Sequence, residues 1–87
     1  MRTKRLNWPI VRSNLAEALD QLKELVDAID SGAPPTEGAL QVFLLHAYHH
    51  VNFAWNVRRV PTSRYRHLTK AEFESWGSYP KDIEDLG

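Results

Sequence analysis

Residues Leu40 to Val57 carry apolar side chains on two sides of one helical pattern, and this constrains the fold more than any other feature of the chain. At about 100° per residue, Leu40, Leu44, Ala47, Tyr48, Val51 and Trp55 form one stripe. Val42, His46, Phe53 and Val57 form a second on roughly the opposite side, with His50 at its edge. Gln41, His49, Asn52 and Asn56 make a narrow polar strip between them. A helix with two apolar sides is either the centre of a small domain or the seam between two copies of it.

The preceding segment is a simpler amphipathic helix. Leu15, Leu19, Leu22, Val26 and Ile29 fall on one side, widened by Ala18 and Leu25, while Glu17, Asp20, Glu24 and Asp27 fill the other. Asn14 followed by Glu17 has the spacing of a capping box, which starts this helix near Ser13 or Asn14. Gly32 is the natural residue after its end, and Pro34-Pro35 forbids continuation. The connection is short enough to impose an antiparallel hairpin. Thr36 is the N-cap of the second helix and Glu37 suits its first turn. That helix runs to about Arg58 or Arg59, and Pro61 ends it.

The flanks are less regular. Pro9 disfavours helix at Trp8, so residues 1–12 read as an extended basic arm. Residues 60–68 read as a basic loop. Thr69-Lys70-Ala71-Glu72 is a full capping box and opens a third helix, Lys70 to Trp76, with Phe73 and Trp76 on one face and Gly77 after its end. The segment 77–87 is an acidic tail in which Pro80 can begin one further turn, docked by Ile83 and Leu86. No segment reads as a strand.

At 87 residues the chain is a single domain, 1–87, that buries only about 60–65% of its unfolded surface. The predicted class is all-α: an antiparallel hairpin of two long helices plus a short third. Two helices cannot enclose the second stripe of the later one, and the third is too short to cover it. The expected assembly is therefore a homodimer with a four-helix-bundle core, its interface drawn from Val42, His46, Phe53 and Val57 with Trp8 and Trp76.

Composition excludes several functions. There is no cysteine, so disulfides, thiolate catalysis and cysteine-based zinc sites are absent, and a reducing cytoplasm is the expected setting. Trp8-Pro9-Ile10-Val11 is too short for a signal-peptide core, and no membrane span is present in the sequence. Formal net charge is zero, yet the signs are segregated. Residues 1–12 carry four basic and no acidic side chains, and 41–70 carry five basic and none acidic. Residues 13–40 carry six acids, and 71–87 five. This pattern predicts complementary surfaces within or between copies.

Three candidate sites compete with a purely structural role. His46 and His50, four residues apart, can share a divalent metal, the one cofactor the sequence suggests, although no Glu stands where H-E-x-x-H needs it. At a dimer seam the same histidines would make association sensitive to acid. Arg58, Arg59, Arg64, Arg66 and Lys70 could grip phosphates of a nucleic acid with Tyr65 stacking on a base, but the second helix is too apolar to be a recognition helix. The alternative is that these cations pair with the acids of the first helix or the tail. His49-His50 differs from the His-His-x-x-x-Asp-Gly motif of acyl-transfer condensation enzymes, with Ala54 for the Asp and Trp55 for the Gly. Neither a nucleophile elbow nor a phosphate loop is present. The expected role is a non-catalytic interaction or regulatory module that acts by self-association.

Overall fold

The structure, a computed structural model, describes residues 5–82. Four helices follow one another: α1 Trp8–Asp30, α2 Glu37–Asn56, α3 Thr62–Tyr65 and α4 Lys70–Trp76. The described residues contain no strand. Helices α1 and α2 form the antiparallel hairpin, and α3 and α4 pack beside its open end. The hairpin makes the molecule long, with extents of 53 × 31 × 22 Å.

Helix α1 begins five residues earlier than the sequence suggests. Asn7 is its N-cap and its side chain accepts from the Ile10 N–H. Pro9 lies in the first turn, where its missing N–H costs nothing because that donor has no helical partner in any case. The stretch Trp8–Arg12 is thus helix rather than arm. Asn14 is not a cap but a buried residue about two turns further in. At the other end Gly32 takes φ +84°. The Ala33 N–H bonds to the Ala28 carbonyl and the Gly32 N–H to the Ile29 carbonyl, the paired bonds of a Schellman ending.

Helix α2 starts where expected, the Thr36 hydroxyl accepting from the Ala39 N–H at 3.2 Å. It ends at Asn56, two residues short of the arginines. The expected basic loop contains α3, a single turn. In α4 both halves of the capping box form: Glu72 N–H to the Thr69 hydroxyl, and Thr69 N–H to the Glu72 carboxylate. No helix is formed over residues 80–82, and Ile83 and Leu86 lie outside the described residues.

The core gathers at the open end. Ile10, Phe53 and Val57 form its buried centre, with Val60, Tyr65 and Trp76 packed around them. Phe53 lies edge-on to Tyr65, ring centroids 6.4 Å apart, and tilted to Phe73 at 5.5 Å. Val57 is fully buried. Two residues of the expected intermolecular stripe, Phe53 and Val57, are therefore spent inside the chain. Helices α3 and α4, together with the first turn of α1, cover them.

Between the long helices the seam is narrow. Its buried residues are Asn14, Ala18 and Leu25 on α1 and Ala47 and Ala54 on α2. Alanines let two helix backbones approach closely, so this line is filled by small side chains rather than by the leucine stripes. The leucine stripe of α1 lies roughly 70–80° round the helix from the seam, and the Leu40–Val51 stripe of α2 is displaced by a similar angle in the same rotational sense. In an antiparallel pair the same sense leads to the same side. Both stripes therefore emerge on one face of the hairpin.

Candidate interaction surface

That shared face is exposed. On α1, Leu15, Leu19, Leu22, Val26 and Ile29 each keep 42–64% of their surface open to solvent. On α2, Leu40, Leu44, Tyr48 and Val51 keep 37–49%. Nine large apolar side chains left half bare on one face make a larger contiguous apolar patch than a soluble monomer usually exposes. At the open end the face continues as an apolar groove of about 330 Å³ between Trp8 and Val11 of α1 and Val51 and Trp55 of α2. Trp8, expected at an interface, is 63% exposed beside this groove.

The remaining expected interface residues scatter. Val42 and His46 are exposed, on the flank of α2 opposite the leucine face. Trp76 is half-buried against the Phe53 core. The seam expected on the second stripe of α2 thus loses half of that stripe to the chain's own core, while the bare face lies on the other side of the hairpin.

His46 and His50 diverge in environment. His46 faces solvent. His50 turns toward α1, its Nδ1 3.1 Å from the Asn14 amide oxygen. The Asn14 Nδ2 donates to the Ile10 carbonyl at 3.0 Å and to the Tyr65 hydroxyl at 3.3 Å. A carbonyl can only accept, so the amide orientation is determined and Asn14 Oδ1 must accept. His50 therefore carries its proton on Nδ1. Among the described residues no three histidine or carboxylate side chains gather as metal ligands.

The basic cluster is partly tied down. Arg58 lies 3.8 Å over the Trp55 ring and bonds Asp82 at 3.0 Å. Trp55 Nε1–H also donates to Asp82 at 2.9 Å. The Trp55 bond first, and the Arg58 guanidinium second, hold the Asp82 carboxyl below the usual range. Arg64 pairs with Glu72, and that hydrogen bond, followed by the one from the Thr69 backbone, lowers the Glu72 carboxyl likewise. Arg59, Arg66 and Lys70 are exposed and make no ion pair among the described residues.

Sequence reasoning missed the asparagines. Three of the four in the chain donate to carbonyls that a helix end or a link would otherwise leave bare. Asn7 donates to Val60 O at 2.7 Å and Asn52 to Gly77 O at 2.9 Å. Asn56 donates to Trp76 O at 2.7 Å and Ser78 O at 3.0 Å. Asn52 and Asn56, one turn apart on α2, thereby secure the end of α4, which accounts for half of the polar strip. Their four-residue spacing was the available signal.

No described helix is long and apolar enough to cross a membrane. The fold defines a class, an all-α hairpin with a small helical buttress at its open end. Comparison with protein-family models, curated proteins and solved structures gives no match to this chain.

Proposed function

We propose that this chain is a small non-catalytic module that acts by self-association through the leucine face of the α1–α2 hairpin, two copies closing a four-helix bundle. The carrying observation is the face itself: two parallel apolar stripes, half bare, on a chain whose own core lies elsewhere. Nine half-exposed side chains of this size present roughly 800 Å² per copy, on the order of one side of a standard specific interface. A second hairpin offers a surface of the same width and character, which a two-fold pairing uses twice.

Other readings have less support. Arg58 and Arg64, two of the four arginines that would hold nucleic-acid phosphates, are bound to carboxylates of the same chain. The divalent-metal reading has His50 turned to Asn14, and among the described residues no three histidine or carboxylate side chains gather as ligands.

Sedimentation equilibrium at tens of micromolar tests the proposal. The wild-type chain is expected at twice its 10.0 kDa mass. Leu19→Glu and Val51→Glu, each at an exposed position, are expected at the monomer mass with helical circular dichroism retained. A wild-type monomer under these conditions overturns the reading.

A further inference from the structure

The hairpin is electrically polarised along its length. Near the turn stand Glu24, Asp27, Asp30 and Glu37, with Lys23 already paired to Asp27 at 2.7 Å. Near the open end stand Arg5, Arg12, Arg59, Arg66 and Lys70, all exposed. Two hairpins stacked face to face with two-fold symmetry can place their turns at the same end or at opposite ends. Neighbouring helices run antiparallel in both arrangements, so helix dipoles do not choose between them. The charges do. Turns at the same end bring acid over acid and arginine over arginine; turns at opposite ends bring each acidic turn over a basic open end.

Resting on the self-association reading, we propose that the two copies pair with their turns at opposite ends, across a two-fold axis perpendicular to the helices, so that Arg12 of each copy meets the partner's Asp30. The register follows from the stripe. Its centre on α1 is near Gln21 and Leu22, midway along Leu15 to Ile29. Arg12 and Asp30 stand nine residues on either side of Gln21 (21 − 12 = 9, 30 − 21 = 9). They are eighteen residues apart (30 − 12), which is about five full turns at 3.6 residues each, so both project from the same side of α1. That side borders the leucine stripe. An antiparallel α1–α1 pairing about this centre therefore forms both Arg12–Asp30 pairs at once. Within one chain the two residues are about 27 Å apart along the helix and cannot pair. The same register sets the groove beside Trp8 level with the partner's turn, whose Ala33-Pro34-Pro35 is apolar.

Charge reversal tests this. Arg12 is near the N-terminus of α1 and Asp30 in its last turn, so Arg12→Asp and Asp30→Arg each suit the helix dipole and do not weaken the fold. Each single reversal is expected to raise the dimer dissociation constant roughly tenfold at low salt, since two pairs per dimer turn repulsive. The double variant is expected to return to within about twofold of wild type, and the differences to shrink in 1 M salt as screening shortens to about 3 Å. A nitroxide on Ser31→Cys, the sole thiol in an otherwise cysteine-free chain, is expected to report turn-to-turn separations of about 30 Å or more, since Ser31 stands ten residues from Gln21 in each copy. A dimer in which single reversals tighten association, or in which the turns lie within about 20 Å, overturns the orientation and leaves self-association standing, that distance being about two helix diameters. A wild-type monomer removes both.

Discussion

The open end and the turn end of the hairpin use the same two helices and are stabilised in different ways. At the open end, Phe53 and Val57 have α3, α4 and the first turn of α1 to bury them, and asparagines bolt the links in place. Toward the turn, Ala18, Leu25 and Ala47 form a single seam, and the larger side chains lie outside it. One end has a small buried core of its own; the other leaves a broad apolar face bare. A short chain can thus bury its large side chains at one end and leave them exposed at the other.

Substitutions at the two ends can break that contrast. The largest effect is expected at the open end, where Phe53→Ala should cost about 3–5 kcal/mol by denaturant unfolding because it empties the centre of the buttress. A cost near zero would mean that α3 and α4 do not stabilise the hairpin. Next comes the seam. Leu25→Ala should cost about 2–4 kcal/mol, whereas Leu22→Ala, three residues away on the bare face, should cost under about 1 kcal/mol in the monomer and weaken association instead. Equal costs at both positions would erase the distinction between seam and face.

Smaller effects sharpen the picture at the open end. Asn14→Ala leaves the Tyr65 hydroxyl and the His50 Nδ1–H without their amide partner, while the Ile10 carbonyl keeps its helical bond, and should cost about 1–3 kcal/mol. Retention of full stability would show that water replaces the amide. Gly77→Ala places a Cβ 3.1 Å from the Phe73 carbonyl oxygen and 3.3 Å from the Phe53 ring. Backbone φ there is −85°, so the expected loss of about 1 kcal/mol is steric and should be read as a lowered denaturation midpoint.

Acid gives the mildest effect. The Asp82 and Glu72 carboxyls both titrate below their unfolded range. Their contribution is complete above the ordinary carboxylate pKa and is lost as pH falls through the lower folded values. The Trp55 indole N–H resonance should shift in that window, while the Phe53 core stays intact. A shift completed at higher pH would show that Asp82 is not held by Trp55 and Arg58.

Much of the local structure was legible because it rests on local chemistry. Thr36 and the Thr69–Glu72 box mark helix starts through bonds made within three residues, and Gly32 marks an end through its own φ. The start of α1 was misread for the same local reason. By local rules Pro9 reads as a helix breaker, but Asn7 is held from afar by Val60 and Thr62, and this stabilises a cap ahead of the proline. Of the candidate sites, pairing of the basic segment with the acidic tail is legible in the sequence for Arg58, which meets Asp82, but not for Arg64, whose partner Glu72 lies in α4. Their partners Asp82 and Glu72 are 24 and 8 residues away.

The sequence by itself determined that the chain is helical, where most of its helices stop, and which side chains share a stripe, because caps and periodicity act within a turn or two of helix. Only the tertiary structure decided which stripe is covered. Periodicity says that a face is apolar and not what will lie on it. Here the alanines at 18, 47 and 54 drew the two helices together along a line of small side chains, α4 took the Phe53 side, and the leucines of both helices were left facing the same way.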